Sequence, residues 1–188
     1  MEKWTVCLVT VLAAWASARL NPQLSMTPPM GFNSWNYFAL NINEEIFKEV
    51  ADAFVRLGLD SAGYKYINMD DGWAYKKRSK DGHVVVDEKK FPNGLKHLSD
   101  YIHSKGLKFG IYSDAGTYTC GGQAGSLGYE KKDAADYAKW GVDYLKYDNC
   151  HSEGIPALYR YTPMSEALAN TERDIFFSLC NWGRDGVT

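Results

Sequence analysis

The sequence lacks the patterns that usually mark metal-binding and nucleic-acid-binding proteins. It has no Cys-x-x-Cys pair, and its histidines, at positions 83, 97, 103 and 151, are scattered rather than spaced as ligands. We therefore expect no metal site. The formal net charge is −2, so the chain lacks the concentrated basic field that binds nucleic acid. With 45% hydrophobic and 23% charged residues, the composition is that of a globular domain.

The apolar stretch at the N-terminus is short. Lys3 precedes a mostly apolar run at residues 5–16, and positions 16–18 read Ala-Ser-Ala, the small-x-small pattern of a cleavage site. A membrane anchor is the alternative, but a spanning helix needs roughly 20 apolar residues. We predict a cleaved signal peptide at residues 1–18, no membrane anchor, a processed chain that begins near Arg19, and entry into the secretory pathway.

The cysteine count changes when that segment is removed. Cleavage would remove Cys7 and leave Cys120, Cys150 and Cys180 in an oxidising compartment, where a disulfide persists. Three cysteines allow one bridge and one free thiol. The cysteine count alone leaves the pairing open.

Five short apolar runs alternate with helical patterns, at residues 30–35, 64–70, 107–114, 142–148 and 175–180. This alternation predicts βαβ units and a parallel sheet. The helices between the runs are predicted to end at Gly58, Gly106 and Gly141. The fourth helix contains Pro163, and we expect a break or kink there because proline removes a backbone donor.

Polar and aromatic residues collect where the predicted strands end. These residues are Trp35, Asp70, Asp71, Asp114, Asp148, Cys180 and Trp182. The catalytic groups of a (β/α)₈ barrel lie at the C-terminal ends of its strands. A doubly wound sheet would more often show a glycine-rich phosphate loop after its first strand, and the residues at 31–34 form none. We therefore predict an α/β fold of the (β/α)₈ type.

The number of strands suggests only part of such a barrel. A complete barrel takes about 250 residues and eight strands, whereas the 188 residues here contain five strand-like runs. We expect residues 19–188 to be about the first five βα units of the catalytic domain.

Three features at the strand ends have both a structural and a functional interpretation. Strand periodicity places Lys146 and Asp148 on one face. The lysine would there keep a nucleophilic carboxylate ionised. A surface ion pair near the strand end would have the same spacing. Asp70-Asp71-Gly is ordinary turn chemistry and could bind calcium, but paired carboxylates also suit sugar hydroxyls. Trp35, Trp73 and Trp182 offer flat apolar faces for a sugar ring, although tryptophan is more often a core residue.

Taken in order, five segments resemble the family 27 glycoside hydrolases, which are α-galactosidases and α-N-acetylgalactosaminidases. The segments are MGFNSWN at 30–36, NMDDGW at 68–73, FGIYSDAG at 109–116, YLKYDNC at 144–150 and FFSLCNW at 176–182. The resemblance covers nearly all of the chain after the predicted signal peptide. It implies a (β/α)₈ domain followed by a β-sandwich, and a hydrolase that releases terminal α-linked galactose with retention of configuration.

The resemblance also implies roles for individual residues. Asp148 matches the nucleophile, Lys146 a lysine that contacts sugar hydroxyls, and Asp70 and Asp71 the pair that holds the O4 and O6 side. Trp35 matches the aromatic wall of the sugar site.

Four cysteine and tryptophan positions complete the match. Cys120 and Cys150 match a family disulfide, and Cys180 and Trp182 match the loop that faces the 2-position of the sugar, where bulk favours galactose. The resemblance implies no cofactor. The expected partner is an α-galactoside carbohydrate.

The sequence departs from the family pattern at three positions. Gly72 stands in place of a cysteine, Leu40 in place of its disulfide partner, and Asn181 in place of a more usual acidic residue. The family's general acid/base lies on the sixth strand and is absent from this chain; Asp185 is too early to be that residue. We therefore expect the chain as written to hydrolyse α-galactosides poorly.

Two other functions remain open from the sequence. One is a β-L-arabinopyranosidase of the same family, although Asp70 leaves room for O6 and favours galactose. The other is a catalytically dead galactoside-binding product of a truncated gene. The final compartment is expected to be extracellular, including the cell wall, or a lysosome or vacuole.

Overall fold

A computed structural model describes residues 20–184. The predicted signal peptide and Asp185 lie outside the described residues. The strands are β1 Gly31–Asn33, β2 Tyr66–Asn68, β3 Lys108–Asp114, β4 Tyr144–Asp148 and β5 Phe176–Leu179. The helices are α1 Trp35–Phe38, α2 Glu44–Arg56, α3 Gly94–Ser104, α4 Glu130–Trp140 and α5 Ala157–Ala169, with a 3₁₀ turn at Pro22–Ser25.

The five strands form one parallel sheet in the order β1-β2-β3-β4-β5. Spatial order therefore equals chain order, and α2 to α5 pack against one another in sequence. Right-handed crossovers place successive helices on one face when strand order never reverses. This is the arrangement of a (β/α) barrel rather than a doubly wound sheet, and it confirms the predicted fold class.

The hydrophobic core lies between the sheet and these helices. Phe109, Ile111 and Leu145 of the sheet are fully buried against apolar side chains that include Phe47 and Leu98 of the helices. Alternate strand residues point to opposite faces. The face opposite the helices is therefore free to carry polar residues such as Lys146.

Local sequence signals explain the start of α2. The side chain of Asn43 caps the helix by accepting a hydrogen bond from the backbone N–H of Ile46, at 3.0 Å. Glu44 and Glu45 lie in its first turn, where their negative charges interact favourably with the positive end of the helix dipole.

Strand β1 is shorter than the pattern predicts. It ends at Asn33, and Trp35 begins the short helix α1.

The predicted break at Pro163 is wrong, because α5 runs without interruption through it. Proline in a helix interior costs about 3 kcal/mol. Tyr161, Met164 and Leu168 of this helix are buried on both sides of the proline, and each large apolar side chain contributes about 1.5 to 3 kcal/mol when fully buried. Tertiary packing therefore outweighs the local cost.

Candidate active site

The C-terminal ends of β2, β3 and β4 bring four carboxylates into one region. Asp70 and Asp71 follow β2, while Asp114 and Asp148 end neighbouring strands and are paired in register. All four are at most 7% exposed. Burying several carboxylates costs free energy unless each finds donors, so their hydrogen bonds define the site.

Asp148 has donors on both carboxylate oxygens. Its Oδ2 accepts from the Tyr112 hydroxyl at 3.0 Å, and its Oδ1 accepts from Trp182 Nε1 at 3.0 Å and from the backbone N–H of Asn149 at 2.9 Å. Burial raises the pKa of Tyr112 well above its usual value, and the charges of nearby carboxylates add to this effect. The phenol therefore stays protonated and remains a donor to Asp148.

Lys146 pairs with Asp70 rather than with Asp148. Its Nζ lies 2.7 Å from Asp70 Oδ2, which also accepts from Asn33 Nδ2 at 2.8 Å. Burial of the ammonium group by itself lowers the pKa of Lys146. The hydrogen bond to Asp70 and the charge of Asp70 outweigh burial, so the pKa of Lys146 is raised. Strand periodicity correctly places Lys146 and Asp148 on one strand face, but it cannot reveal a partner 76 residues away.

Asp71 is held by backbone groups. Its Oδ1 accepts from the N–H of Gly72 at 2.8 Å and its Oδ2 from the N–H of Gly121 at 2.7 Å. Burial raises the pKa of Asp71, and the neighbouring charge of Asp70 contributes in the same direction. Asp71 thus joins the end of β2 to the loop after β3.

Leu40 and Gly72, which stand where the family has a disulfide, lie in contact. A Cβ added to Gly72 would lie 3.1 Å from Leu40 Cα. Lys90 Nζ donates to the carbonyl oxygens of both residues, at 2.8 Å for Leu40 and 2.7 Å for Gly72. A single ammonium group therefore joins the two loops here. Nothing in the sequence pattern singled out Lys90.

The tryptophans differ in exposure. Trp35 is 38% exposed and Trp182 50% exposed, so both have free surface at the strand ends, whereas Trp73 is buried. Trp73 Nε1 donates to the backbone carbonyl of Tyr112 at 2.9 Å. Trp73 is therefore a core residue, and the first two remain candidates for stacking on a sugar.

The structure contains the Cys120–Cys150 disulfide, and Cys180 is a half-buried free thiol. This confirms the pairing that the family resemblance implies. Burial and the nearby charge of Asp148 raise the pKa of Cys180 to about 11. The thiol therefore stays protonated at neutral pH, which makes it a weak nucleophile.

Asp114 lies directly behind this disulfide. Its Oδ1 accepts from the N–H of Gly116 at 2.7 Å and its Oδ2 from the N–H of Cys150 at 2.9 Å. Burial raises the pKa of Asp114 to about 7, against the effect of these two donors. Asp114, Cys120 and Cys150 are close enough together to surround a metal ion, but sulfurs bonded to each other cannot act as thiolate ligands.

Sequence reasoning missed three residues that contact the site. Tyr112 lies two residues before Asp114 on β3, so period-2 alternation could have placed both on one face. Asn33 was part of a recognised motif but had no assigned contact. Arg160 on α5 donates to the side chain of Asn149, and no local signal pointed to it.

The fold and site together define a class of protein. Paired carboxylates, a lysine and exposed tryptophans at the C-terminal ends of parallel strands are the features of a barrel-type glycoside hydrolase domain.

The comparisons with known proteins identify the family. Residues 27–185 match the melibiase family described as Alpha galactosidase A, and the chain belongs to this family. It is 53% identical to Alpha-galactosidase 2 of Arabidopsis thaliana, covering 96% of this chain and 46% of that protein. It is 56% identical to an alpha-galactosidase of Coffea arabica, covering 86% and 43%.

A solved structure shows the same architecture. The α-galactosidase of Saccharomyces cerevisiae with raffinose is 48% identical, with a TM-score of 0.84, and the match covers 86% of this chain and 37% of that one. The chain thus spans less than half the length of these relatives. None of the helices in residues 20–184 has the length and apolar character that a membrane-spanning helix needs.

Proposed function

We propose that this chain supplies the nucleophile and most of the galactose-binding residues of a retaining α-galactosidase. The observation that carries the proposal is the environment of Asp148, a carboxylate at the end of β4 with donors on both oxygens. Membership of a family whose curated relatives are named α-galactosidases supports it.

Asp148 suits attack on an anomeric carbon. Tyr112 and Trp182 hold its two oxygens in fixed directions, and an oriented nucleophile loses less entropy on reaching the transition state. Retaining hydrolysis uses one carboxylate to form a glycosyl-enzyme and a second carboxyl group to protonate the leaving oxygen. We assign Asp148 the first role and assign the second to none of residues 20–184.

The neighbouring polar groups suit a hexose. Asp70 and Lys146 form an ion pair on the same side of the sheet, so acceptors and donors stand side by side for adjacent sugar hydroxyls. We propose that Asp70 and Asp71 bind the O4 and O6 side, and that Trp35 forms the apolar wall. Sugar rings have apolar faces that pack on aromatic side chains.

The substrate is proposed to be a terminal α-galactoside, with raffinose as a test compound because the related yeast structure holds it. Cys180 and Trp182 would fill the space beside the 2-position. The identities of 53% and 56% to proteins named α-galactosidases favour galactose over the alternative sugar, L-arabinopyranose.

The test uses the chain in two forms. One is the chain as given; the other is a fusion in which residues 27–184 replace the matching segment of the Coffea arabica enzyme, since the chain spans 43% of that protein. Both are assayed on nitrophenyl α-galactoside, raffinose and nitrophenyl β-L-arabinopyranoside. We expect the fusion to prefer the α-galactoside and to release α-galactose first, as retention requires.

Asp148→Asn in the fusion tests the nucleophile. Turnover should fall by at least about 10⁴-fold, as it does when other catalytic groups are removed. Galactose binding should persist, because the amide keeps the shape of the carboxylate but cannot attack. Asp100→Asn, at an exposed position on α3, is the matched control and should retain activity. A fusion that folds but cleaves no α-galactoside, or an active Asp148→Asn variant, would reject the proposed function.

We further propose that residues 1–18 direct the chain into the secretory pathway and that residues 19–188 belong to the catalytic domain. The disulfide supports this, because such bridges persist in oxidising compartments. N-terminal sequencing of the expressed protein should find a start near Arg19, and a retained Met1 would count against it.

A further inference from the structure

Arg160 on α5 is a buried charge without an ionic partner. Its side chain is 1% exposed, and no carboxylate in residues 20–184 forms an ion pair with it. Its Nη1 is buried with no hydrogen-bond partner. Besides its place over the Tyr161 ring, 5.6 Å from the ring centroid, the guanidinium has two hydrogen bonds. A buried guanidinium without a carboxylate partner is costly, so these two hydrogen bonds need an explanation.

Those two hydrogen bonds join α5 to the loop after β4. Arg160 Nε donates to the backbone carbonyl of Ile155 at 2.7 Å, and Nη2 donates to Asn149 Oδ1 at 2.5 Å. Asn149 directly follows Asp148 in the chain. The guanidinium therefore acts on the residue next to the proposed nucleophile, not on the nucleophile itself.

Arg160 also determines how the Asn149 amide is oriented. A guanidinium only donates hydrogen bonds, so the amide oxygen must face it and the amide nitrogen must point the other way. In that orientation, Asn149 Nδ2 donates to the backbone carbonyl of Asn181 at 3.3 Å. Without Arg160 the amide could turn over, and its oxygen would then face the Asn181 carbonyl.

The contact with Asn181 links the residue after Asp148 to the residue before Trp182. Asn181 is followed by Trp182, whose Nε1 donates to Asp148 Oδ1 at 3.0 Å, and Asp148 is bonded to Asn149. The β4 and β5 loops are thus joined at two points, one through an amide and one through an indole. A shift of either loop would move the indole away from the carboxylate.

We propose that Arg160 is a positioning residue for glycoside hydrolysis, which orients the Asn149 amide and thereby holds Trp182 against Asp148. This rests on the proposed function for its effect on catalysis, whereas its effect on Trp182 does not depend on activity.

The structural effect is measured on the chain as given, by the ¹H–¹⁵N signals of the tryptophan indoles. Trp182 is assigned with Trp182→Phe. Arg160→Met should shift or broaden the Trp182 indole signal and leave that of Trp73 in place, because Trp73 Nε1 bonds to the backbone of β3 instead. Asn149→Asp should act likewise, since it keeps an acceptor for Arg160 but has no donor for Asn181.

The catalytic effect is measured on the fusion with nitrophenyl α-galactoside. Both variants should lower kcat by about 10-fold or more and change KM by less than about threefold, because a misplaced nucleophile slows attack more than it weakens sugar binding. Met164→Ala, at a fully buried position of the same helix, controls for lost stability. It should lower the melting temperature without moving the Trp182 signal or kcat.

The outcomes separate this proposal from the proposed function. If the unaltered fusion is inactive while the Trp182 signal responds to Arg160→Met and Asn149→Asp, the proposed function fails and the positioning role stands. If the folded Arg160→Met variant leaves both the signal and kcat unchanged, or if Met164→Ala changes them equally, Arg160 is only a structural residue.

Discussion

Tyr112 is buried, and its hydroxyl bonds to Asp148, the proposed nucleophile. It donates to Asp148 Oδ2 at 3.0 Å, and its ring lies 5.1 Å from the ammonium group of Lys146. A hydrogen bond to a charged group contributes about 1.5 to 3 kcal/mol. Removing the hydroxyl would therefore leave one oxygen of the carboxylate without its donor.

We predict that Tyr112→Phe lowers kcat of the fusion by about 10- to 100-fold on nitrophenyl α-galactoside, because the carboxylate loses a donor that fixes its direction and a misplaced reacting group can cost about 10²-fold. Tyr137→Phe is a matched control, because Tyr137 is also buried but its hydroxyl lies near Ser126 and not Asp148. A Tyr112→Phe variant with kcat within about twofold of the unaltered fusion would contradict the role given to the hydroxyl.

Helix α5 contains a proline that is locally unfavourable, and tertiary packing compensates for it. Pro163 cannot donate a backbone hydrogen bond, yet the helix continues through it because its apolar face is buried. Its ring is only partly buried, so replacing it disturbs little of the core. The helix should therefore become more stable when the proline is removed.

We predict that Pro163→Ala raises the free energy of unfolding by about 2 kcal/mol. The helix would recover about 3 kcal/mol, offset by up to about 1 kcal/mol from the greater freedom of the unfolded chain. Urea unfolding followed by circular dichroism measures this. Ser165→Ala, two residues further along the helix, should change stability much less; an unchanged or lower stability for Pro163→Ala would show that the helix has adapted to the proline.

The disulfide joins the loop after β3 to the end of β4, across 30 residues of chain. It reduces the number of conformations open to the unfolded chain, and it holds Cys120 beside Cys150, two residues after Asp148. Replacing both Cys120 and Cys150 by serine should lower the free energy of unfolding by about 2 to 5 kcal/mol.

Urea unfolding again provides the measurement for the disulfide, and non-reducing peptide mapping checks the pairing. Cys180 should react with an alkylating agent in the unfolded, unreduced protein while Cys120 and Cys150 do not. A crosslink through Cys180 would overturn the assignment.

Across the whole molecule, buried acids gather at one end of the sheet. Asp114 has a pKa of about 7 in the folded state against an ordinary value of 3.8. Between about pH 4 and 7, the folded state holds a proton that the unfolded chain has released. The free energy of unfolding therefore falls as pH rises through this window, by at most about 1.4 kcal/mol per pH unit from this one group.

We predict that Asp114→Asn removes this contribution, so that its stability declines less steeply than that of the unaltered chain between pH 4 and 7. Urea unfolding at several pH values gives the two slopes. Asp81→Asn, at an exposed position, should leave the slope unchanged. Parallel curves for Asp114→Asn and the unaltered chain would show that Asp114 does not titrate in this range.

The sequence by itself determined the parallel α/β architecture, the order of strands and helices, and the strand ends where Asp70 and Asp148 lie. Those features depend on periodicity, glycine stops and motifs, which are local. The pairing of Cys120 with Cys150 came from the family resemblance rather than from the spacing of the cysteines.

Only the tertiary structure decided which charges meet. Lys146 pairs with Asp70, in the loop after β2, instead of its near neighbour Asp148, and Arg160 reaches Asn149 from a helix. The continuity of α5 through Pro163 was decided in the same way. In each case the deciding free energy comes from burial and from contacts between residues distant in sequence, which no local pattern records.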